Sequence, residues 1–298
     1  MLKKIGKIKI NLAKSAGFCF GVKRAIDIAL KTSASDKKVF MLGDIVHNED
    51  VVKEIQRAGI IKIKRLQPGR DKTLLIRAHG APQDTFKKAY SLSYKLIDAT
   101  CPMVKEIHKI AKDIEESGYQ VIVIGDKLHD EVQGIVGQLK TRAIIIDDSK
   151  HIPIKSLSKI KKAGIVVQST QNLEKVIRIA DILKRHIREL KFFNTICNPT
   201  RMKQLEIKSM PKANGLMIII GSKTSANTKR LYEISKLLNK KSYWISSAKE
   251  IKPLWLKGVV TVGVTAGAST PDSTTKEVIQ RIKQLTRQPG TLSPAATS

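Results

Sequence analysis

The sequence predicts an α/β protein made of three small, pseudo-threefold-related α/β domains with mainly parallel sheets. Hydrophobic runs of strand length alternate with segments of helical periodicity along almost the whole chain, which is typical of parallel sheets covered by helices. The three cysteines among the 298 residues are each followed by the same pattern of spaced residues. Equal spacing within otherwise different segments indicates three structural copies of one unit.

The hydrophobic runs locate the expected elements in order. Strands are predicted near residues 8–13, 38–42, 74–77, 96–99, 120–124, 143–146, 165–167, 216–220 and 259–264. Helices are predicted where apolar residues recur at spacings of three and four, as at Val22, Ile26, Ala29 and Leu30, at Val176, Ile179, Ala180 and Leu183, at Leu231, Ile234, Leu237 and Leu238, and at Val278, Ile279 and Ile282. The remaining tail, residues 287–298, has no periodicity, and we expect it to be disordered.

The repeat around the cysteines consists of a base and a polar side chain at fixed distances. The bases follow four residues after Cys19, Cys101 and Cys197 and are Lys23, Lys105 and Arg201. The polar side chains follow after 28 residues and are His47 (47 − 19), His129 (129 − 101) and Ser225 (225 − 197). A glycine precedes each of these by four residues. We interpret the three segments as equivalent turns.

Polar and thiol side chains recur where a predicted strand gives way to a helix. They are Cys19, His47, His79, Cys101, His129, Ser169, Cys197, Ser225 and Ser269. Because ligands bind outside the carboxyl ends of parallel strands, we expect these residues to converge around a pseudo-threefold axis. The other histidines, His108, His151 and His186, fall outside these turns, and we expect them on the surface or on a helix face.

The cysteines have the context of metal ligands. Proline follows Cys101 directly and Cys197 after one residue, which marks helix starts, where a thiol pKa is lowered; we therefore expect three activated thiolates. The nearest two are 82 residues apart (101 − 19), unlike the close pairs of structural zinc sites. Three distant thiolates suit one iron-sulfur cluster with one iron lacking a protein thiolate. A single isolated cysteine would instead be interpreted as a small buried hydrophobe.

The histidines and hydroxyl residues describe an anion site. Hydrogen-bond donors near helix amino ends, without a cage of carboxylates, favour a phosphate or diphosphate. Glu131, two residues after His129, is the best candidate for a proton donor, because burial raises a carboxyl pKa. Asp130 is its nearest rival, and a capping role at the helix start is the alternative for Glu131.

Composition restricts the compartment and the partners. Sparse, odd-numbered cysteines and the lack of a long apolar run favour a cytoplasmic protein without a membrane span. The 55 basic and 26 acidic residues give a net charge of +29. Such a charge attracts polyanions or an acidic protein, although a general lysine bias explains it equally well. Aromatic residues make up only 4%, which leaves few platforms for stacking bases, and we expect no stable nucleic-acid complex.

An ordered set of motifs from Lys14 to Leu285 resembles the family of 4-hydroxy-3-methylbut-2-enyl diphosphate reductases, which act last in the non-mevalonate isoprenoid pathway. The motifs are AGFCFGVKRAI, GDIVHN, RAHGAP, DATCPMV, His129-x-Glu131 followed by GxxGQ, TIC at Cys197, GSKTSANTKRL and GASTPD. The resemblance implies a trefoil-like arrangement of three α/β domains around one 4Fe-4S cluster. Its ligands would be Cys19, Cys101 and Cys197.

The resemblance also implies the reaction, a reductive removal of an allylic hydroxyl with two electrons and two protons. The products would be isopentenyl and dimethylallyl diphosphate, and the substrate hydroxyl would bind the open iron. Glu131 would supply protons. The substrate site would comprise His47, His79, His129, Ser169, Ser225, Asn227 and Ser269. Low-potential ferredoxins and flavodoxins are acidic, and either would be a suitable electron donor for a basic protein.

Two residues depart from the family pattern. Many members have threonine at the position of Ser169 and a second serine at that of Ala226. Ser169 keeps a hydroxyl, whereas Ala226 can contact a diphosphate only through its backbone amide.

The repeat places domain boundaries at 14–100, 101–194, and 1–13 joined to 195–286.

Two other classes of function compete with a reductase. A basic nucleic-acid-binding protein would show salt-dependent binding and would tolerate cysteine replacement. A thiol-dependent hydrolase would need one activated cysteine beside a histidine. Neither class requires reactive residues at three equally spaced turns, so we favour the reductase.

Overall fold

The computed structural model describes residues 8–36, 38–150 and 152–287. Contacts divide the chain into two compact units, one formed by Cys19–Arg201 and one by the described parts of Met1–Phe18 and Met202–Ser298. The domain boundaries predicted from the repeat stay a prediction. Arg287 is the last residue of a helix, and the rest of the predicted tail lies outside the described residues, as does His151.

The described residues contain twelve strands. They are β1 (Lys9–Leu12), β2 (Val39–Leu42), β3 (Ile61–Ile63), β4 (Thr73–Ile76), β5 (Lys95–Asp98), β6 (Gln120–Ile124), β7 (Ile144–Ile146), β8 (Lys162–Val167), β9 (Glu189–Phe192), β10 (Leu216–Ile220), β11 (Ser242–Ile245) and β12 (Thr261–Ala266). Each predicted strand is present within three residues of its expected bounds.

The helices follow the strands almost one for one. They are α1 (Phe20–Ser35), α2 (Glu49–Arg57), α3 (Gln83–Ser91), α4 (Pro102–Glu116), α5 (Asp130–Val136), α6 (Ile154–Leu157), α7 (Leu173–Lys184), α8 (Asn198–Ala213), α9 (Ala226–Leu238) and α10 (Asp272–Arg287), with short 3-10 turns at Ala248–Glu250 and Pro253–Leu256. Every helix of the described residues is too short or too polar to cross a bilayer.

Three four-stranded sheets share one strand order. Sheet I is ordered β3-β2-β4-β5, sheet II β7-β6-β8-β9, and sheet III β11-β10-β12-β1. In sheets I and II the first strand along the chain lies second, as β10 does in sheet III, and every pairing is parallel. Sheet III differs only because its fourth strand, β1, comes from the start of the chain. The prediction of an α/β fold with three parallel sheets is therefore confirmed.

The central strands are covered by helices on both faces. In sheet II, Ile122 and Ile124 of β6 pack in a cluster with Val176 and Ile179 of α7. Alternate residues of the same strand, Val121 and Val123, pack instead with a cluster from α4 that includes Ile107 and Ile114. Side chains of a strand point alternately to opposite faces, so a continuously apolar strand needs two helical covers. Packing against sheet II therefore fixes the position of α4, the helix that begins after Cys101.

Candidate active site

The predicted polar residues follow the two central strands of each sheet. His47 follows β2 and His79 follows β4 in sheet I, and His129 follows β6 and Ser169 follows β8 in sheet II. In sheet III, Ser225 follows β10 and Ser269 follows β12. The strand order reverses between these central strands, and such a reversal leaves a crevice at the carboxyl edge where ligands bind. The common strand order explains the repeat of spacing.

The cysteines follow the fourth strand of each order and precede helices. Cys19 is the N-cap of α1, Cys101 is the N-cap of α4, and Cys197 directly precedes α8. All three are free and partly buried. Gly21 packs directly on the second thiol, because a Cβ built at Gly21 would lie 2.4 Å from the Cys101 Sγ. The first turn of α1 therefore contacts the sulfur of Cys101, the N-cap residue of α4.

The prediction of a lowered thiol pKa is wrong for Cys101 and Cys197. Burial raises the pKa of the Cys101 thiol, although amides of the following turn lower it, and negative charge on Cys19 and Glu131 raises it further. Burial likewise raises the pKa of Cys197, with an opposing contribution from Thr200 and further increases from Glu131 and Cys19. Loss of solvent outweighs the helix amino ends for both thiols. A bound metal would have to displace protons from these thiols.

The surroundings of the sulfurs nevertheless suit an iron-sulfur cluster. Cys19 lies close enough to both other thiols for its charge to raise the pKa values of Cys101 and Cys197. The Cys101 sulfur accepts hydrogen bonds from two backbone amides, and the Cys197 Sγ lies 3.1 Å from the Thr200 Oγ1. Clusters are held by such thiolates, and hydrogen bonds to the sulfurs tune them. The residues therefore fit this cofactor.

Three histidines form a compact group in the unit Cys19–Arg201. Ring centroids of His47 and His79 lie 4.2 Å apart, those of His47 and His129 5.0 Å apart, and those of His79 and His129 5.5 Å apart. Burial lowers the pKa of His79 well below its usual value, and the two neighbouring histidines lower it further. One nitrogen from each ring lies within 4.8 Å of the others, so the group also has the spacing of a metal site.

Glu131 lies buried beside the histidines and the thiols. Its carboxylate accepts hydrogen bonds from Ser169, from the backbone amide at 2.5 Å and from the hydroxyl at 2.8 Å. Burial raises the pKa of Glu131 to about 7, although the hydrogen bonds from Ser169 oppose this rise. A carboxyl group with this pKa can release and take up a proton at neutral pH. The structure thus brings together Glu131 and Ser169 as a hydrogen-bonded pair.

Asp130, the rival candidate for proton transfer, is engaged elsewhere. Its Oδ2 accepts a hydrogen bond from the Arg77 Nη1 at 2.6 Å. Asp130 is therefore held in an ion pair that joins the start of α5 to the turn of His79, whereas Glu131 is hydrogen-bonded to Ser169. Arg77 itself had no signal in the sequence beyond its place in RAHGAP, two residues before His79.

The second unit carries the other predicted anion-binding residues. Ser225 is the N-cap of α9, and its Oγ accepts from the Thr228 amide at 3.3 Å. Asn227 lies in the first turn, and its buried Nδ2 has no hydrogen-bond partner among the described residues. A Cβ built at Gly267 would lie 2.0 Å from the Thr228 Oγ1, so the turn that carries Ser269 packs on this helix start. The unsatisfied amide nitrogen suits an acceptor from a ligand.

Ala226 is the first residue of α9 and is almost fully buried. Its side chain offers no hydrogen bond, in keeping with the departure noted in the sequence. The backbone amides of a first helical turn have no partner within the helix, so Ala226 can still contribute an amide donor.

His108 was expected on the surface or a helix face, and the structure corrects the surface alternative. It lies on α4, and its Nε2 is buried without a hydrogen-bond partner among the described residues. The ring packs beside two glycines, because a Cβ built at Gly80 would lie 2.8 Å from its Cε1 and one at Gly134 3.4 Å from its Nε2. His108 thus lies between the turn of His79 and the helix of Glu131. His186, by contrast, is exposed as expected.

Known proteins resemble this chain over almost its entire length. The family model described as LytB protein matches residues 10–283. A 4-hydroxy-3-methylbut-2-enyl diphosphate reductase from Geobacter metallireducens is 39% identical over 278 residues, which cover 93% of this chain and 98% of that protein.

Two solved structures have the same fold. One, described as (E)-4-hydroxy-3-methyl-but-2-enyl diphosphate reductase, the terminal enzyme of the non-mevalonate pathway, is 38% identical with a TM-score of 0.70, covering 93% of this chain and 99% of that chain. The other, the E-1-hydroxy-2-methyl-but-2-enyl-4-diphosphate reductase from Plasmodium falciparum, is 26% identical with a TM-score of 0.83, covering 92% and 87%. Matched through its sequence, its fold and its motifs, the chain belongs to the LytB protein family.

Proposed function

We propose that this chain is a 4-hydroxy-3-methylbut-2-enyl diphosphate reductase. The reaction takes up two electrons and two protons, breaks the allylic carbon–oxygen bond and releases water, giving isopentenyl and dimethylallyl diphosphate. The observation that carries the proposal is the buried carboxyl group of Glu131, which has a pKa of about 7 and whose charge acts on both Cys101 and Cys197. A proton donor beside a set of three thiols suits a proton-coupled reduction.

The diphosphate is assigned to the histidine group and the residues of α9 and the turn after β12. His47 and His79 have lowered pKa values because they are buried, and the negative charge of a diphosphate would favour their protonated, doubly donating form. Ser225, Asn227 and Ser269 would donate further hydrogen bonds, and Asn227 has an amide nitrogen available for this. His129 would lie near both the diphosphate and the substrate hydroxyl.

Cys19, Cys101 and Cys197 would hold a 4Fe-4S cluster. When bound, this cluster supplies the electrons and one iron that has no protein thiolate, which acts as a Lewis acid toward the allylic hydroxyl. The protein would deliver the proton from Glu131, while the Ser169 hydroxyl keeps that carboxyl group oriented through its 2.8 Å hydrogen bond.

The electron donor we propose is an acidic carrier such as a ferredoxin or flavodoxin, with the cytoplasm as the compartment. The net charge of +29 would attract an acidic carrier and increase its association rate at low salt. Three free thiols suit a reducing compartment. Reduction rates that do not decrease with rising ionic strength would argue against an acidic donor.

The direct test combines cluster analysis with one substitution. Anaerobically prepared protein is expected to contain iron and sulfide and to absorb broadly in the visible range, and replacement of any one cysteine by serine is expected to remove iron. Glu131→Gln is expected to keep iron and substrate binding while kcat falls by at least about 100-fold. The control is Glu116→Gln, an exposed glutamate at the end of α4. Colourless protein, or normal turnover of Glu131→Gln, would refute the corresponding assignment.

A further inference from the structure

We propose that the Arg77–Asp130 ion pair is a positioning element that joins the three histidine-bearing turns and sets their affinity for a diphosphate. The inference rests on the proposed function insofar as these histidines bind that group. Arg77 and Asp130 are positioning residues here, and they take no part in proton transfer.

The pair ties the turn of His79 to the start of the helix that carries Glu131. Arg77 directly follows β4, and Asp130 is the first residue of α5, between His129 and Glu131. The Arg77 Nη1 donates to the Asp130 Oδ2 at 2.6 Å, and its Nε donates to the Gly80 carbonyl oxygen at 3.3 Å. One guanidinium group thereby fixes its own turn and the neighbouring sheet's helix start.

The third turn, which carries His47, packs on the same guanidinium group. Gly43, directly after β2, has a φ of 77°, and a Cβ built there would lie 2.9 Å from the Arg77 Nη1. The Asp130 Oδ2 that binds Arg77 also lies 3.9 Å from the His47 Nε2. Arg77 and Asp130 therefore contact, between them, the turns of all three histidines.

The two charges act on His47 in opposite directions. Asp130 raises the pKa of His47, and Arg77 lowers the pKa of both His47 and His79. The pair is only partly exposed, with 18% of the Arg77 and 32% of the Asp130 side chain accessible, so solvent screens it incompletely. Loss of Arg77 would leave a carboxylate facing the site of an anion. Loss of Asp130 would leave a cation there, with the turns no longer tied.

A double-substitution cycle on the full-length protein tests this role. The readout is the dissociation constant for inorganic diphosphate, measured by calorimetry at low salt with cluster-containing protein, in parallel with KM and kcat for the substrate. Arg77→Met is expected to weaken diphosphate binding roughly tenfold, because the Asp130 carboxylate becomes unpaired. Asp130→Asn is expected to change it by less than about threefold, because the added positive charge offsets the loss of positioning.

The double variant is expected to bind diphosphate more tightly than Arg77→Met, since the unpaired carboxylate is gone. Strictly additive effects, or a double variant no better than Arg77→Met, would overturn the proposal. A matched cycle at Lys87 and Asp84, an exposed ion pair on α3, changes the same charges and is expected to leave the constant unaltered. Failure of the proposed function would instead appear as wild-type protein without substrate turnover, an outcome that the diphosphate cycle does not depend on.

Discussion

The Ser169 hydroxyl lies 2.8 Å from the Glu131 carboxylate, and the Ser169 backbone amide lies 2.5 Å from the same group. Ser169 follows β8, a central strand of sheet II, and Glu131 begins the helix after the other central strand, β6. The proposed proton donor is therefore oriented from across the crevice of its own sheet.

Ser169→Ala is expected to move the alkaline limb of the pH–activity profile to higher pH. The serine hydroxyl stabilises the charged carboxylate and so lowers the pKa of Glu131 from the value that burial alone would give. Without it the pKa rises above about 7, and the protonated acid persists to higher pH by roughly half a unit to one unit. Profiles of kcat against pH measure this. Ser91→Ala, an exposed serine on α3, is the control, and an unmoved or lowered limb would contradict the prediction.

His108→Gln is expected to change how stability depends on pH. Burial lowers the pKa of His108 from 6.5 to about 4, so the unfolded chain binds a proton more readily than the folded one. Above pH 6.5 the neutral His108 therefore makes its full contribution to the free energy of unfolding. This contribution of about 3 kcal/mol is lost as the pH falls toward 4. Denaturant unfolding across this range should show the difference between wild type and variant shrinking.

His186→Gln replaces an exposed histidine and is the control for this comparison. His47 and His79 titrate in both proteins, so their effects cancel in the difference. Parallel stability curves for wild type and His108→Gln would show that His108 is not held neutral by the fold.

Gly21→Ala is expected to lower the iron content. The new methyl group would lie 2.4 Å from the Cys101 Sγ, well inside any allowed contact, so the thiol has to move. Alanine favours helix over glycine, so α1 itself should not be weakened. Iron analysis together with circular dichroism separates the two effects, and Lys31→Ala, exposed on the same helix, is the control. Full iron content in Gly21→Ala would contradict this close contact.

Lys203→Met is expected to destabilise the unit formed by Met1–Phe18 and Met202–Ser298. The buried Lys203 ammonium group donates to the carbonyl oxygens of Gly17 at 3.0 Å and Ala266 at 3.1 Å, and also to that of Ser15. Removal leaves buried acceptors without a donor, at a cost of roughly 2–4 kcal/mol in the free energy of unfolding. Urea denaturation measures it, with Lys212→Met, exposed on the same helix, as the control. A loss no larger than that of the control would contradict the role of Lys203.

The sequence was sufficient to predict the buried strands but not those at one edge of each sheet. β3, β9 and β11, which were not predicted, are all edge strands of their sheets. β6 and β10 are apolar nearly throughout because both faces are buried, whereas most residues of β3 and β9 are exposed and polar residues interrupt the run. Strands with this exposure need no continuous apolar run, and hydrophobic periodicity therefore gives no signal for β3 and β9.

The candidate site shows a similar division. Positions such as Cys19, His129 and Ser225 could be proposed from the sequence because equal spacing reflects the shared strand order. Arg77 and His108 were missed because their roles depend on contacts between neighbouring turns, which have no fixed separation in sequence. The predicted direction of the Cys101 pKa shift was wrong for a related reason. The helix start is visible in the sequence, but the burial of the Cys101 sulfur is not.

The pairing of β1 with β12 has a consequence for how the chain is made. Lys9 pairs with Thr261, 252 residues further on (261 − 9). In every other strand pair, the two strands come from nearby segments of the chain. At a synthesis rate of roughly 5–20 residues per second, β1 leaves the ribosome tens of seconds before its partner exists. Sheets I and II can form in that interval, but sheet III cannot be completed until β12 has been synthesised. The segment that leads to Cys19 is thus synthesised before sheets I and II but is fixed in place after them.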